Sequence, residues 1–321
     1  DDMVGLIHHA QDNNGLESLK CKVILTSSHL LDGYIEKALT GRYDVPHPIN
    51  LMELLGVGLM VLDESHLLFR MNYHARLMFQ QPYLVDLSAT LKPNSNDRFA
   101  IARYGEAFPK RNRYTKIGYN KYIDAISLYY RLQSDKIIGQ VNRMPMYSHV
   151  QFEEKLMRQK RTKIRYFEMI EKIMIDFWKK DYQKGQRALI FFSLKKMCTE
   201  FREWLKPRHP ELNVVRYIQG DNYKNFLAGD VGISTYGKAG TAVDVKGLLL
   251  SIVTVPMSKD QANLQILGRT RVDRVWNKTP KVVFLHAKGI SKHRRYDVER
   301  GKLFKGKVKN HITIEHTPFE V

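Results

Sequence analysis

The chain has 321 residues, of which 43% are hydrophobic, and a net charge of +19. Because single cores stop growing at roughly 250 to 300 residues, this length predicts two compact domains. No stretch reaches the roughly 18 consecutive apolar residues of a membrane span, and the only cysteines, Cys21 and Cys198, are too few for a disulfide framework or a zinc site.

Three short runs rich in valine, isoleucine and leucine alternate with helical patterns in the first third of the chain. The runs are KVILTSS (22–28), VGLMVLDE (57–64) and YLVDLSAT (83–90). Each ends in small or acidic residues, as strands buried on both faces of a parallel sheet do. The stretches 31–43 and 72–81 between them are typical of helices. This alternation predicts βαβ units and a parallel sheet.

The middle of the chain differs in composition from both ends. A tyrosine-rich stretch, 113–133, precedes a stretch, 152–180, where apolar residues recur at three- and four-residue spacing: Ile164, Phe167, Ile170, Met174 and Phe177. This spacing predicts a long amphipathic helix.

A second series of apolar runs begins at residue 187 and predicts a second α/β domain. Its predicted strands are 187–193, 212–218, 230–235, 248–255 and 281–287. We therefore predict a first domain over 1–115, a linker over 116–149, and a second domain over 150–321 that begins with the long helix.

The charge and the cysteine count predict the partner and the compartment. An excess of lysine and arginine favours a polyanion, and nucleic acid is the leading candidate because binding releases counterions from the phosphate backbone. A basic protein with a merely solvated surface is the alternative. With two cysteines and no signal-peptide pattern in DDMVGLIHHA, we expect an intracellular, reducing compartment, such as the cytoplasm of a bacterial host or another compartment that contains nucleic acid. We expect no membrane partner.

The tetrapeptide Asp63-Glu64-Ser65-His66 follows an apolar run, and ligands of open α/β sheets bind beyond the carboxyl ends of strands. Asp63 can hold a magnesium ion, usually through water, and Glu64 can orient and deprotonate a water that attacks a γ-phosphate. His66 would lie close enough to sense that phosphate. An acidic turn that caps the next helix is the alternative.

Three motifs in order resemble the superfamily 2 helicases, in particular the DExH group. Asp63-Glu64-Ser65-His66 resembles the Walker B motif II, Ser88-Ala89-Thr90 resembles motif III, and Gln265-x-x-Gly268-Arg269 resembles the first half of motif VI. The stretch 233–248 resembles motif V. Within the superfamily, the chain is most similar to the compact recombination-type helicases of phages and large DNA viruses.

The resemblance implies an α/β fold of two RecA-like domains with mainly parallel sheets, the first apparently incomplete at its N-terminus, with ATP and Mg²⁺ in the cleft between them. It assigns coupling to Ser88 and Thr90 and nucleotide contacts to Asp244 and Gln265. Arg269 and Arg271 would act as arginine fingers. The family places its second arginine at the position of Val272 here, so Arg274 competes with Arg271, which we favour.

The resemblance also implies that the protein grips the nucleic-acid backbone without reading sequence. The hydroxyl residues at predicted strand ends where such contacts would form are Thr26, Ser27, Ser28, Ser193 and Thr235. Each of them is also a common helix cap or turn former, which is the alternative for each one singly.

A Walker A phosphate loop needs Gly-x-x-x-x-Gly-Lys-Ser/Thr between a strand and a helix. GISTYGKA (232–239) and GKLFKGKV (301–308) match the glycine and lysine spacing, but alanine or valine replaces the magnesium-binding hydroxyl residue. Both also follow the acidic strand, whereas the loop precedes it in RecA-like domains. We expect the loop to lie before residue 1 in a longer protein; a degenerate relative without the loop is the alternative.

The leading hypothesis is an ATP-dependent helicase or translocase that remodels duplex or branched DNA in replication, recombination or repair. An RNA helicase stays open, because no motif reports on a 2′-hydroxyl. A nucleic-acid-binding scaffold that does not hydrolyse ATP is a second hypothesis. The motor part of a restriction or remodelling assembly is a third, but no nuclease motif is evident.

Overall fold

The computed structural model describes residues 4–6, 22–41, 45–66, 68–88, 97–114, 121–239, 245–258, 260–270 and 275–321. The chain divides into two units, Asp1–Ile117 and Gly118–Val321.

Unit 1 combines short parallel strands with helices. β1 pairs with β2, and β3 pairs with β4, both in parallel. The strands are β1 (Val4–Leu6), β2 (Val23–Leu25), β3 (Leu59–Leu62) and β4 (Tyr83–Asp86). The helices are α1 (Ser28–Thr40), α2 (Pro48–Leu54), α3 (Phe69–Met78) and α4 (Arg98–Ala107).

Local signals define the ends of these helices. The Ser27 side chain caps α1 by accepting from the backbone N–H of Leu30, and α1 ends at Gly41, whose φ of 61° is readily available to glycine. Asp97 caps α4 in the same way. The helices predicted at 31–43 and 72–81 therefore correspond to α1 and α3, each beginning about three residues earlier than its predicted start.

In unit 1, β3 is buried on one face only among the described residues, which corrects the prediction of two-sided burial for its apolar run. Met60 and Leu62 are buried with residues of α1, α2 and α3. Leu59 and Val61, which point to the opposite face, are 53% and 50% exposed. An uninterrupted apolar run predicted burial on both faces, but the run itself does not specify which neighbours cover each face.

Unit 2 contains a parallel sheet whose described strands follow the order β11-β5-β10-β9-β6-β8-β7. Its strands are β5 (Asp124–Arg131), β6 (Arg187–Phe192), β7 (Val214–Tyr217), β8 (Val231–Thr235), β9 (Leu248–Val253), β10 (Lys281–Lys288) and β11 (Asn310–Ile314). The five strands predicted from residue 187 onward are all present, and β5 and β11 are additional.

The stretch 116–149, predicted as a linker, contains β5 and belongs largely to unit 2. Lys281 of β10 is in register with Asp124 of β5, and Asn310 of β11 pairs with the same residue from the other side. A strand therefore occupies part of the stretch for which the sequence predicts a linker. The sequence did not indicate this strand, because its partners lie more than 150 residues away and leave no local pattern.

Helices cover both faces of this sheet. They are α5 (Asp135–Asn142), α6 (His149–Arg158), α7 (Lys160–Phe177), α8 (Lys195–Leu205), α9 (Tyr223–Leu227), α10 (Tyr236–Ala239), α11 (Asp260–Arg269) and α12 (Ser291–Phe304). The predicted long helix corresponds to α7, in which Phe167, Ile170 and Met174 are buried. No helix in the described ranges is long and apolar enough to cross a membrane.

Candidate functional site

The Asp63–His66 turn follows β3 directly, as the sequence predicts for a strand-end site. Asp63 Oδ1 accepts a hydrogen bond from the Glu64 backbone N–H at 2.9 Å. Glu64 has a φ of 47°, in the left-handed region that residues with a Cβ rarely adopt. The turn therefore holds Glu64 in a strained conformation, which is a frequent feature of functional sites.

Ser65 fixes the turn to the rest of unit 1. It is 1% exposed, and its backbone N–H donates to the Leu87 carbonyl at 3.0 Å, just beyond β4. Its own carbonyl accepts from Asn72 Nδ2 at 3.3 Å, and Asn72 Oδ1 accepts from the Ser28 hydroxyl at 2.7 Å. Asn72 of α3 thus links the turn to the start of α1, the segment predicted to contact nucleic acid.

His66 and Ser88, predicted on separate motifs, lie together. His66 Nδ1 is 2.6 Å from Ser88 Oγ and 3.3 Å from Glu64 Oε2. Burial lowers the pKa of His66, while the charge of Asp63 acts in the opposite direction. Thr90, the other predicted coupling residue, lies outside the described residues.

The three hydroxyl residues predicted to contact nucleic acid in unit 1 differ in their surroundings. The Ser27 side chain caps α1 and the Ser28 hydroxyl donates to Asn72, so both have structural partners. Thr26 is exposed. The helix-cap alternative therefore describes Ser27, whereas Thr26 is accessible to a ligand.

Gln265 and Arg269 lie one turn apart on α11, so both side chains are on one side of the helix. Gln265 is buried and Arg269, the last residue of α11, is half-buried. Burial raises the pKa of Tyr236 to about 12, and the charge of Arg269 partly opposes this shift, which places the guanidinium within electrostatic range of that ring. Asp244, Arg271 and the competing Arg274 lie outside the described residues.

Ser193 follows β6 at the edge of the sheet where the strands end. Its backbone N–H donates to both carboxylate oxygens of Glu153, at 2.9 and 3.0 Å, and the next amide, of Leu194, donates to Glu153 Oε2 at 2.7 Å. An internal carboxylate therefore already occupies these two amides, and only the Ser193 hydroxyl is left to meet a ligand. Thr235 is half-buried at the end of β8.

The stretches 232–239 and 301–308 match the glycine and lysine spacing of a phosphate loop, but neither has the geometry of one. In a Walker A motif both glycines belong to the turn. Gly232 instead lies inside β8, where an added Cβ would approach the Phe226 ring to 2.5 Å. Gly301 lies inside α12, and Lys307 Nζ donates to the Leu303 carbonyl at 2.7 Å.

A buried polar cluster in unit 2 was not predicted from the sequence. Arg300 is 1% exposed, and it donates to Asn263 Oδ1 at 3.0 Å and to His286 Nε2 at 2.9 Å. Asp297 accepts from the hydroxyls of Ser127 and Tyr129. Polar residues inside apolar strand patterns, such as His286 within KVVFLHA, could have indicated this cluster. The sequence does not reveal which helix supplies the hydrogen-bond partners of these residues.

Within the described ranges, no group of three or more histidine, cysteine or acidic side chains is arranged to hold a metal ion. A Mg²⁺ site does not need such a group, since Mg²⁺ is usually held by one or two carboxylates together with water and substrate phosphates.

Comparison with known proteins identifies the fold. No family model matches the sequence, and no curated protein matches it. The chain is similar to S. cerevisiae Dbp5 bound to RNA and ADP BeF3, with a TM-score of 0.55, 11% identity, and coverage of 98% of this chain and 70% of that one. It is also similar to Mycobacterium smegmatis helicase Lhr bound to single-stranded DNA and AMP-PNP, with a TM-score of 0.50, 13% identity, and coverage of 97% and 38%.

These identities establish the fold alone. The chain is α/β with parallel sheets and matches the fold of helicases with two RecA-like domains. The fold class predicted from the sequence is confirmed.

Proposed function

We propose that this chain is the core of a DExH-type superfamily 2 motor that uses ATP to move along or open DNA. The observation that most supports this function is the 2.6 Å hydrogen bond between His66 and Ser88. It joins the residue assigned to phosphate sensing with the residue assigned to coupling. The fold adds support, since solved structures that share it hold RNA with ADP BeF3 or single-stranded DNA with AMP-PNP.

The assigned roles follow from the chemistry of the side chains. Asp63 is exposed and has one carboxylate oxygen beyond the one that accepts from Glu64, which fits a Mg²⁺ ion that keeps most of its waters. Bound Mg²⁺ would neutralise charge on the phosphates. Glu64 would accept the proton of the attacking water, and His66 would sense the γ-phosphate.

In unit 2 the nucleotide contacts are assigned to Asp244, Gln265, Arg269 and Arg271. Arginine suits the transferred phosphoryl group because its planar guanidinium stays charged and can make two parallel hydrogen bonds. The nucleic-acid contacts are assigned to the hydroxyls of Thr26, Ser28, Ser193 and Thr235, with Ser27 acting through its helix cap.

A nucleic-acid-binding scaffold that does not hydrolyse ATP is the second candidate. It is favoured by one observation, the absence of Gly-x-x-x-x-Gly-Lys-Ser/Thr from the 321 residues. An RNA helicase is the third, since one structural neighbour holds RNA and another holds DNA. A competition binding assay with DNA and RNA strands of the same sequence measures which nucleic acid the chain prefers.

Measurement of ATP turnover with and without DNA distinguishes the motor from the scaffold. We expect the 321-residue chain to hydrolyse ATP at the background rate, because it has no lysine and hydroxyl of a phosphate loop to hold the phosphates. In any longer native form that includes such a loop, we expect DNA-stimulated hydrolysis. There Glu64→Gln abolishes turnover and retains nucleotide binding, and Arg269→Ala lowers turnover by orders of magnitude while DNA binding persists.

Two outcomes would contradict parts of this account. Rapid hydrolysis by the 321-residue chain itself would contradict the expected background rate and would mean that the phosphates are held by residues other than a phosphate loop. A longer form that contains the loop, binds DNA and still fails to hydrolyse ATP would favour the scaffold. Arg274→Ala, compared with Arg271→Ala, determines which arginine accompanies Arg269.

A further inference from the structure

Helix α12 has one buried side and one strongly basic exposed side. Its buried residues are His293, Tyr296, Asp297, Arg300 and Phe304. On the exposed side lie Arg294, Arg295 and Lys302. Arg295 and Lys302 are two helical turns apart, so they lie on the same side, about 10 Å from each other along the axis. Within α12, all of which the structure describes, Glu299 is the only exposed acidic residue.

Two further cations lie beside the start of α12. Arg131 and Lys288 are the last residues of β5 and β10, and they are in register. Alternate residues of a strand share a face. Tyr129 and His286, two residues earlier in each strand, both form hydrogen bonds to residues of α12, so Arg131 and Lys288 lie on the sheet face that α12 covers. The α12 basic surface is the set Arg131, Lys288, Arg294, Arg295 and Lys302.

Three of these five cations have no acidic partner in the part of the chain that the structure describes. All three are exposed, and they are Lys288, Arg294 and Lys302. The other two have distant partners. Arg131 Nη1 lies 3.5 Å from Glu320 Oε1, and Arg295 Nε lies 3.7 Å from Glu299 Oε1. Exposed pairs of this kind are weak, so the surface keeps most of its positive charge.

Ion pairing and helix stability do not account for this surface. Elsewhere in unit 2, Lys163 lies 2.6 Å from Glu200 and Lys172 lies 2.9 Å from Asp176. Arg294 has no such partner, and it lies in the first turn of α12, where the helix dipole disfavours a positive charge. A set of cations that is unpaired and locally unfavourable indicates a role in binding an anion.

The extent of the surface indicates a polymer of anions. Arg294 and Lys302 span about 12 Å of helix, and Arg131 and Lys288 extend the surface beyond its start. Each strand of a DNA duplex carries a charge about every 3.4 Å along the axis, so several phosphates fit a surface of this length. A lipid membrane fits less well, because the apolar side of α12 is buried and Val298 is the apolar residue exposed among the cations.

We propose that the α12 basic surface holds the phosphate backbone of a bound nucleic-acid strand. Its guanidinium and ammonium groups contact phosphate oxygens, so the contacts do not depend on base sequence. They supply a large share of the salt-dependent affinity, in addition to the hydroxyl contacts assigned at the strand ends. This inference rests on the proposed function, because it names a surface that holds the strand on which the motor acts.

The test measures the affinity of the 321-residue chain for single-stranded DNA of about 20 nucleotides at several salt concentrations. A triple variant with Lys288→Gln, Arg294→Gln and Lys302→Gln removes three charges that have no acidic partner. Loss of three phosphate contacts should reduce the slope of log affinity against log salt by about 2. At about 0.1 M salt the affinity should fall by about 100-fold.

A control variant with Lys184→Gln, Lys206→Gln and Lys224→Gln removes the same charge from exposed lysines of unit 2 outside the α12 basic surface. It should change affinity by less than about threefold, because distant charges are screened beyond about 10 Å at 0.1 M salt.

A second control keeps all three charges of the surface, through Lys288→Arg, Arg294→Lys and Lys302→Arg. It should bind as the wild type does, because contacts to phosphates need the charge more than the shape of the side chain.

Protection from acetylation gives a measurement that requires no variant. Acetylation attacks a free lysine amine, so a phosphate that contacts the amine slows the reaction. We expect bound DNA to protect Lys288 and Lys302 of the wild-type chain and to leave Lys224 as reactive as it is without DNA. Mass spectrometry of the digested chain measures each site.

Three results would overturn this inference alone: wild-type affinity and salt slope in the glutamine variant of the α12 basic surface, an equal loss of affinity in the control glutamine variant, or unchanged acetylation of Lys288 and Lys302 when DNA is bound. Failure of the wild-type chain to bind DNA would overturn the proposed function and this inference with it.

Discussion

Glu64 is held in a left-handed backbone conformation that costs free energy. Its φ is 47°, and a residue with a Cβ pays roughly 1 to 2 kcal/mol to adopt this region. We expect Glu64→Gly to increase the free energy of unfolding of unit 1 by up to about 1 kcal/mol, because relief of strain exceeds the added flexibility of the unfolded chain. Urea denaturation measures the difference.

Glu64→Gln provides the control for this substitution. It changes the charge but leaves the backbone requirement in place, so we expect a free energy of unfolding close to that of the wild type. Destabilisation by Glu64→Gly would show that the turn is unstrained and would remove one argument for its special role.

The buried histidines of unit 2 make its stability depend on pH. Burial, and next the charge of Arg300, lower the pKa of His286 well below the ordinary value of 6.5. Above pH 6.5 the ring is neutral in both the folded and the unfolded state. Below it the unfolded state binds the proton and the folded state does not, so stability falls as the pH falls.

His286→Gln tests this dependence, because the glutamine side chain can still accept from Arg300 Nη1, which is 2.9 Å from His286 Nε2. In wild type, the free energy of unfolding should fall between pH 6.5 and roughly 5, and in the variant this slope should be smaller by up to about 1.4 kcal/mol per pH unit. Identical slopes would mean that His286 is protonated in the folded protein.

At the scale of single residues, the sequence predicted those whose chemistry is contiguous along the chain. Asp63, Glu64 and His66 stand together, and their neighbour Ser88 follows the next strand. Asn72 was missed, because an asparagine within a helical pattern gives no sign that it bridges Ser65 and Ser28. Such a role depends on a tertiary contact, which the local pattern does not contain.

At the scale of elements, β3 shows what an apolar run leaves open. Leu59 and Leu62 belong to the same four-residue strand, yet Leu62 is 7% exposed and Leu59 is 53% exposed. We expect Leu62→Ala to lower the free energy of unfolding of unit 1 by about 2 to 5 kcal/mol, because it opens a cavity beside α1 and α3.

Leu59→Ala is the matched substitution on the opposite face, and we expect it to change the same free energy by less than about 1 kcal/mol. Chemical denaturation of the two variants beside the wild type compares them directly. Similar large losses at both positions would show that both faces of β3 are buried in solution, as the sequence alone predicted.

At the scale of the whole molecule, the α/β class and its parallel sheets could be predicted because strand and helix periodicities are local. The place of β5 could not be. Its partners are β10 and β11, and the tyrosine-rich stretch around it gave no indication of a central strand. The α12 basic surface was beyond prediction for the same reason, since Arg131 and Lys288 meet only through the pairing of β5 with β10.

The net charge of +19 is a property of the whole chain, and it underlies the central claim that the protein holds a nucleic-acid strand by its phosphates. The most direct test measures the affinity of the 321-residue chain for single-stranded DNA of several sequences as salt is raised. If six or more phosphates are contacted, we expect affinity to fall by about 300-fold or more between roughly 50 and 200 mM salt, almost equally for every sequence. An affinity that does not respond to salt, or that depends strongly on one sequence, would contradict the claim.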